Sequence, residues 1–304
     1  MPPAVVFPGQ GSQQPGAGRD WLDHPAWHVV GRAEAALGVP LAPLLLDPDA
    51  DLARTRDSQL SVLLLSLVAW EAARDSVGRP VAFAGHSLGQ ITALIASGAV
   101  AFDDGVRMAA ARAEATQRAA DARPGGMLAL LGADTDQAEA ACAAADGEAW
   151  PANLNAPGQI VVGGTPEGLA AVAAAAKGVG IRRTRSLAVG GAFHTPLMAP
   201  AADEVGPVLD AITFSEPSAP VVANHDGAAH TRPTGWPVHL RAHLVEPVRW
   251  ETCVHTMIDL GADELVEIGP GTTLTALSSR ISPDLTTRNV AVPADLSIGV
   301  EVHA

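Results

Sequence analysis

The sequence predicts an α/β fold, because short apolar segments typical of strands alternate with longer segments typical of helices along most of its 304 residues. An apolar strand at residues 5–7 ends at a glycine-rich turn, and a second at residues 80–84 runs straight into another turn and a helix. Residues 126–190 then contain two smaller strand–helix passes. We therefore expect an α/β-hydrolase-like large domain with a parallel central sheet, and a small inserted subdomain with a ferredoxin-like order.

These changes along the chain set the expected domain bounds. Residues 1–125 and 191–290 are assigned to the large domain, residues 126–190 to the ferredoxin-like subdomain and residues 291–304 to a C-terminal tail. The sequence after Pro283 is weakly patterned, so no helix or strand is predicted there.

Each predicted element rests on a local pattern. Apolar runs bounded by glycine, proline or polar residues predict strands at 5–7, 80–84, 127–131, 159–162, 184–189, 220–224 and 264–268. Apolar residues at helical spacing predict helices at 59–77, 91–97, 103–122, 135–145, 166–176, 237–244 and 250–260. Asp103 and Asp104 suit the first turn of their helix, and the Arg-Pro-Gly-Gly sequence at 123–126 ends it.

The composition argues against several classes of function. A formal net charge of −14 argues against general nucleic-acid binding, which needs a basic surface. No run of about eighteen apolar residues occurs, so no membrane span is expected. Cys142 and Cys253 are far apart and lack a C-x-x-C spacing, which argues against a disulfide framework or a structural zinc site and suits a reducing cytoplasm. The sequence indicates no metal site and no bound cofactor.

The segment Gly85-His86-Ser87-Leu88-Gly89 has the G-x-S-x-G pattern of a nucleophile elbow. The two glycines let strand and helix approach closely, and the serine hydroxyl projects at a helix N-terminus, where free N–H groups favour negative charge. The pattern predicts acyl transfer through a serine ester. A chance glycine-rich turn has the same composition, so the pattern alone leaves that alternative open.

A serine hydroxyl is a weak nucleophile near neutral pH, so Ser87 needs a general base. Among ten histidines the best candidate is His194, which follows a predicted strand in a glycine-rich loop. His86 is a poorer base, because adjacent elbow residues point in different directions. A hydrogen-bonded structural histidine is the alternative for His194.

Three further residues fit this chemistry. Gln10 lies in the glycine turn after the first strand, and such turns gather at the carboxyl ends of parallel strands. Its backbone N–H and that of Leu88 would form an oxyanion hole, although a plain tight turn also fits Gln10. Arg112 lies inside the helix at 103–122 and, if buried, would hold a carboxylate by two parallel bonds; a surface arginine is the alternative.

Six segments occur in one order: FPGQGSQ at 7–13, GHSLG at 85–89, NLNAPGQ at 153–159, GAFHT at 191–195, PVRW at 247–250 and EIGPG at 267–271. Together they resemble the malonyl-CoA:acyl carrier protein transacylase family, the discrete and module-borne acyltransferases of fatty-acid and polyketide synthesis. The resemblance extends from residue 5 to about residue 282.

The resemblance implies a ping-pong reaction with no bound cofactor. Ser87, deprotonated by His194, would attack an acyl-CoA thioester, and the N–H groups of Gln10 and Leu88 would hold the oxyanion. The phosphopantetheine thiol of an acyl carrier protein would then take the acyl group from the serine. In this family a backbone carbonyl orients the histidine, and here His243 stands at that position.

The resemblance also implies how substrates bind. Arg112 would pair with the free carboxylate of a malonyl group, and the segment around Phe193 is similar to that of malonyl-selective members. The remaining substrate-binding positions are Gln59, His86 and Asn155. Arginines that would form a basic patch for an acidic carrier protein are Arg182, Arg183, Arg185 and Arg280; ordinary solvated arginines are the alternative.

Several positions near the acyl pocket depart from the family pattern, namely Leu60, Ser61, Gln90, Ala113, Thr116, His243 and Glu246. They leave open a transferase that moves a bulkier acyl or aminoacyl group between carrier proteins. An editing hydrolase needs the same serine and histidine but gains nothing from a carboxylate-binding arginine. A non-catalytic docking module is disfavoured, because both Ser87 and His194 are present.

Overall fold

In the computed structural model, which describes residues 2–299, ten strands form two separate sheets. The strands are β1 (Pro3–Phe7), β2 (Ala82–Gly85), β3 (Gly126–Leu131), β4 (Ala149–Ala156), β5 (Gln159–Gly164), β6 (Arg183–Ser186), β7 (Val221–Val222), β8 (Ala229–His230), β9 (Glu264–Ile268) and β10 (Thr286–Val290). The central sheet has the order β10-β9-β1-β2-β7-β8, with every pair parallel except β7 and β8. The predicted α/β class with a parallel central sheet is confirmed.

The helices cover this sheet and the smaller one. They are α1 (His28–Leu37), α2 (Ala42–Leu46), α3 (Thr55–Val77), α4 (Gly89–Ala96), α5 (Phe102–Ala122), α6 (Thr135–Ala143), α7 (Pro166–Ala176), α8 (Ala199–Ala211), α9 (Trp236–Val245), α10 (Trp250–Asp259) and α11 (Thr273–Ile281). The seven predicted helices correspond to α3 to α7, α9 and α10, whereas α1, α2, α8 and α11 were not predicted. No helix within residues 2–299 is long and apolar enough to cross a bilayer.

Alternate residues of β1 reach opposite faces of the central sheet. Val5 and Phe7 pack among apolar residues of α3, α4 and α5, whereas Ala4 and Val6 pack with Trp250 of α10 and neighbouring apolar residues. Burial on both faces explains why β1 and β2 are uniformly apolar, with no polar alternation.

The smaller sheet has the order β4-β5-β3-β6 and is antiparallel throughout. With α6 and α7 between its strands, the chain runs in the β-α-β-β-α-β order of a ferredoxin-like unit. The sequence analysis missed β4, because Pro151, Asn153 and Asn155 interrupt its apolar pattern. The predicted strand at 184–189 is shorter than expected, since β6 ends at Ser186. We propose that residues 126–190 form the inserted subdomain, which the separate sheet supports.

The chain after Pro283 differs from the expectation. Thr286–Val290 form β10, an edge strand that pairs in parallel with β9, and Pro293–Gly299 form a 3-10 helix. The Trp21 indole N–H also donates to the carbonyl of Ala291 at 3.0 Å. An edge strand has only one neighbour, so β10 keeps polar residues and gives a weak sequence signal. Residues 300–304 of the expected tail lie outside the described residues.

Candidate active site

The turns after β1 and β2 lie side by side, because Phe7 pairs with Gly85 in parallel register. Ser87 stands at the tip of the second turn with φ of 53°, a left-handed conformation that costs energy for a serine. A Cβ at Gly85 would lie 2.0 Å from the carbonyl oxygen of Gly89, and one at Gly89 would lie 2.1 Å from that of Phe7. Both glycines are therefore required for strand, turn and helix to meet this closely.

The Ser87 hydroxyl has two side-chain partners. Its Oγ lies 2.7 Å from Nε2 of His194, and Nη2 of Arg112 donates to it at 3.0 Å. The three residues come from the elbow, the loop after β6 and helix α5. The fold thus joins positions that are up to 107 residues apart in the sequence.

His194 is buried and held in one tautomer. Its Nδ1 lies 2.8 Å from the backbone carbonyl oxygen of His243, and because a carbonyl can only accept, Nδ1 carries the proton. The other nitrogen, Nε2, therefore presents its lone pair to Ser87. Burial, and then the charge of Arg112, lower the pKa of His194 to about 3, so the imidazole is neutral and able to accept a proton at neutral pH.

Arg112 is a buried cation, with 6% of its surface exposed. Its Nη1 donates to Oε1 of Gln59, whose Nε2 in turn lies 3.2 Å from the Thr116 hydroxyl. Burial lowers the pKa of Arg112 to about 10, which leaves the guanidinium charged at neutral pH. Within residues 2–299 no carboxylate pairs with it, so the charge is available to an anionic ligand.

His86 points away from Ser87, as the sequence analysis expected of adjacent elbow residues. Its Nε2 lies 2.8 Å from Oδ1 of Asn155, and its ring packs against Trp250 at 5.6 Å between centroids. Burial lowers the pKa of His86, and the bond to Asn155 opposes this shift. The structure therefore brings Asn155 to the site through His86.

The expected oxyanion donors belong to the two neighbouring turns after β1 and β2. Gln10 follows β1 in the turn whose Gly9 packs against the carbonyl of His86, and Leu88 directly follows Ser87. Neither backbone N–H has an acceptor among residues 2–299. These two unpaired donors could bind a developing negative charge.

Ser87, His194 and Arg112 open into one cleft between the two sheets. It is lined by Gln10, Gln59, His86, Ser87, Arg112, Met127, Asn153, Leu187, Val189, Phe193 and His194. The sequence analysis assigned no role to Met127, Leu187 and Val189, which the smaller sheet and the segment after it contribute. Their apolar side chains carry no chemical signature in the sequence.

Asn224 contacts the elbow directly, and sequence reasoning missed it. This fully buried amide accepts from the Ser87 backbone N–H at 2.8 Å and donates to the Gly85 carbonyl at 2.8 Å. The backbone N–H of Asn224 donates to Oε1 of Gln90 at 2.6 Å. Asn224 thereby holds the strained elbow in shape. Its signal was a polar residue at the carboxyl end of a predicted main-sheet strand, the edge where ligands bind.

The proposed docking arginines lie outside the cleft. Arg182, Arg183 and Arg185 are exposed on and beside the edge strand β6. Arg280 on α11 instead donates to Oε1 of Gln159 and, at 2.9 Å, to the carbonyl of Pro157. The first three arginines therefore lie together, whereas Arg280 is hydrogen-bonded to the turn between β4 and β5.

The arrangement has the parts needed for acyl transfer through a serine. A hydroxyl shares a hydrogen bond with a neutral imidazole and accepts another from a guanidinium, and two backbone N–H groups of the neighbouring turns have no acceptor within residues 2–299. Groups of these kinds could serve as the nucleophile, base, oxyanion donors and anion-binding group for an acyl substrate that carries a carboxylate.

Comparisons with known proteins agree with this chemistry. The family profile of the acyl transferase domain matches residues 4–289. The chain is 37% identical over 300 residues to a malonyl CoA-acyl carrier protein transacylase of Salmonella typhimurium, with 97% of each protein covered. It is 34% identical over 304 residues to one of Bacillus subtilis, covering 98% of this chain and 96% of that protein.

Solved structures of malonyltransferases are also similar to this chain. An acyl-carrier-protein S-malonyltransferase of Burkholderia pseudomallei superposes with a TM-score of 0.92 at 36% identity, covering 97% of this chain and 98% of that one. A malonyl-transacylase in complex with its type II PKS acyl-carrier protein superposes with a TM-score of 0.93 at 34% identity, covering 99% of both chains.

Proposed function

The chain belongs to the acyl transferase domain family, and from that premise we propose that it transfers a malonyl group from malonyl-CoA to the phosphopantetheine thiol of an acyl carrier protein. An ester on Ser87 carries the malonyl group between the two substrates. Full-length similarity to malonyl CoA-acyl carrier protein transacylases supports this function. The reaction needs a coenzyme A thioester and a carrier-bound phosphopantetheine as substrates.

The buried charge of Arg112 is the observation that carries the choice of malonyl. A guanidinium that is 6% exposed and has no carboxylate partner within residues 2–299 is costly, unless a ligand supplies the anion. The free carboxylate of a malonyl thioester supplies it, and an acetyl thioester does not. A charge-assisted pair contributes about 1.5–3 kcal/mol, which favours malonyl over acetyl by roughly tenfold or more.

The first half-reaction loads the serine. In the free protein the guanidinium of Arg112 donates to Oγ of Ser87. When the substrate binds, the malonyl carboxylate pairs with this guanidinium. The Ser87 proton passes to Nε2 of His194 as Oγ attacks the thioester carbonyl, and the oxyanion accepts from the N–H groups of Gln10 and Leu88. The C–S bond then breaks, and the coenzyme A thiolate leaves with the proton from His194.

The second half-reaction runs the same steps with another thiol. The phosphopantetheine thiol gives its proton to His194 and attacks the malonyl ester, and Ser87 recovers its proton as the C–O bond breaks. Because Nδ1 stays bonded to the His243 carbonyl at 2.8 Å, Nε2 serves as base and acid in both half-reactions. Gln59 holds Arg112 in place, and Asn155 is hydrogen-bonded to His86, which lines the cleft.

The carrier protein is proposed to dock beside β6. Arg182, Arg183 and Arg185 are exposed there, although the whole chain has a net charge of −14. Leu187 and Val189, which line the cleft, directly follow this basic strand. A local positive surface next to the entrance would attract an acidic carrier protein and guide its thiol inward. Arg280 is a weaker candidate, because it is already bonded to Pro157.

The cytoplasm is the proposed location. Cys142 and Cys253 are buried free thiols, which supports a reducing compartment.

Intact-mass measurement tests the proposed function. The protein is incubated with malonyl-CoA, acetyl-CoA and methylmalonyl-CoA in turn, and a malonyl adduct is expected that Ser87→Ala lacks. Arg112→Ala is expected to lower the malonyl loading rate at least about tenfold and to leave acetyl loading nearly unchanged. Arg107→Ala is the matched control, because Arg107 lies on the same helix but is exposed.

Other outcomes point to other functions. An equal loss of malonyl and acetyl loading in Arg112→Ala would refute the carboxylate-binding role. Failure of all three thioesters to load would favour a transferase of a bulkier acyl or aminoacyl group. Rapid loss of the adduct without a carrier protein would favour an editing hydrolase.

A further inference from the structure

Three histidines and an aspartate meet at the β8 edge of the central sheet, outside the active-site cleft. We call His225, Asp226, His230 and His239 the histidine cluster. Nε2 of His225 lies 2.9 Å from Nδ1 of His239, and Nε2 of His230 lies 3.0 Å from Oδ2 of Asp226. The Asp226 carboxylate is also 3.7 Å from Nδ1 of His225 and 3.9 Å from Nδ1 of His239.

The short distance between the rings of His225 and His239 requires a proton or a cation between the two nitrogens. Two unprotonated nitrogens would face each other with their lone pairs, so at 2.9 Å one proton must lie between His225 and His239. A metal ion can replace that proton, because imidazole nitrogen and carboxylate oxygen bind Zn²⁺ at about 2.0–2.2 Å. Nitrogens on a tetrahedral zinc ion are about 3.4 Å apart, so the two nitrogens need to separate by about half an ångström and the rings need to turn until both lone pairs point at the ion.

We propose that the histidine cluster binds a divalent transition-metal ion such as Zn²⁺. The ligands are Nε2 of His225, Nδ1 of His239 and one carboxylate oxygen of Asp226, with water in the fourth position. One ligand atom from each of these three residues lies within 4.8 Å of the other two. The proton that the rings share is released to solvent when the ion binds.

The surroundings of the cluster suit such a site. His230 donates to Oδ2 of Asp226, and the backbone N–H of Ala228 donates to Oδ1 at 2.9 Å. These two donors, neither of which is a proposed ligand, fix the orientation of the carboxylate. A cavity lined by His230, Thr234, Gly235 and His239, among others, gives an ion a path from solvent.

The position of the cluster indicates a structural role. His225 directly follows Asn224, which holds the backbone of Ser87. His239 lies one turn before His243 on α9, and the carbonyl of His243 holds His194. An ion bound by both segments would therefore tie together the supports of the serine and the histidine. The cluster residues do not line the cleft, so the ion touches no reacting atom, and the inference does not depend on the proposed function.

The spacing of the three proposed ligands explains why the sequence analysis did not predict this metal site. His225 and Asp226 are adjacent and His239 follows thirteen positions later, which matches no common zinc motif. Only the antiparallel turn between β7 and β8 and the start of α9 bring the ligands together.

Metal titration tests the proposal. Protein without an affinity tag is freed of metal with a chelator and titrated with Co²⁺, a spectroscopic substitute for Zn²⁺. One equivalent is expected to bind with the visible absorption of four-coordinate Co²⁺. Zn²⁺ should displace it and raise the melting temperature. His239→Ala and Asp226→Asn should abolish the absorption, and His230→Ala should weaken Zn²⁺ affinity about 10–100-fold.

The controls separate this site from incidental binding. His255→Ala removes an exposed histidine of α10 and should bind as the unchanged protein does. Asp226→Asn keeps the size and one acceptor oxygen of the side chain, so it tests the charge even if His239→Ala misfolds by circular dichroism. The proposal is overturned if the unchanged protein gives no four-coordinate absorption, or if a folded Asp226→Asn variant binds Co²⁺ equally well.

Discussion

His194 is held in a single tautomer, because each of its two ring nitrogens has its own hydrogen-bond partner. Nδ1 donates to the His243 carbonyl at 2.8 Å, and Nε2 accepts from Ser87 at 2.7 Å. No acidic side chain is needed to select this tautomer, since a carbonyl oxygen does the same. A substitution of the His243 side chain leaves that support intact, because the bond uses the backbone.

The low pKa of His194 gives a prediction for loading rates. A base works while it is neutral, which for a pKa of about 3 means throughout the neutral and mildly acidic range. The rate of Ser87 loading should therefore stay within about twofold between about pH 7.5 and pH 5.5. An unperturbed histidine would instead lose activity as the pH falls through its usual value of 6.5.

The substrate for this measurement is a malonyl thioester of a short thiol without phosphates, because the phosphates of coenzyme A titrate near pH 6. Ser87→Ala gives the uncatalysed background at each pH. A fall in rate centred near pH 6.5 would contradict the predicted environment of His194.

At the scale of elements, the sequence shows buried segments better than edges. Helices α3 and α5 were predicted within a few residues, because their length and apolar content reflect burial within this chain. Strands β4 and β10 were missed, since both lie at sheet edges and carry polar residues. Edge strands make half of their backbone bonds and bury less surface, so their composition is less constrained.

The edge strand β6 gives a prediction for the carrier protein. Charge reversal of Arg183 and Arg185 to Glu should raise the KM for the acyl carrier protein and leave loading from a phosphate-free malonyl thioester unchanged, because such a thioester carries no phosphate that these arginines could attract. Added salt should reduce the difference between variant and unchanged protein. Steady-state kinetics with varied carrier protein measure both effects.

A charge reversal elsewhere controls for net charge. Arg74→Glu changes an exposed arginine near the end of α3, outside β6. An equal rise in KM from Arg74→Glu would mean that overall charge, and not the β6 surface, governs docking.

At the scale of the whole molecule, three buried histidines make stability depend on pH. Burial lowers the pKa of His86, His194 and His243. Below their unfolded value of 6.5 the unfolded chain binds protons that the folded chain does not, so stability falls as the pH falls. Each histidine contributes up to about 1.4 kcal/mol per pH unit to this loss until its folded pKa is reached.

Urea unfolding at about pH 7.5, 6.5 and 5.5 measures this dependence. The free energy of unfolding should fall over both steps, and by clearly less over the first than over the second. His243→Gln removes one buried histidine and should make that fall smaller. Glu267, whose pKa burial raises, acts in the opposite direction but nearer its usual value of 4.5. Equal stability at pH 6.5 and 5.5 would contradict the burial of these imidazoles.

The sequence by itself determined the fold class, the elbow and the order of the main elements. Glycines at 85 and 89, apolar strands and helical periodicity act through local sterics and burial, which short segments express. The choice of His194 and Arg112 also came from the sequence, through glycine-rich surroundings, helix position and resemblance.

Only the tertiary structure decided what these groups do to one another. The neutral imidazole, the unpaired guanidinium, the support from Asn224 and the histidine cluster depend on distances between residues far apart in the chain. A pKa or a metal site depends on burial and on neighbours within a few ångströms. The chain acquires those neighbours only when its sheets and helices pack.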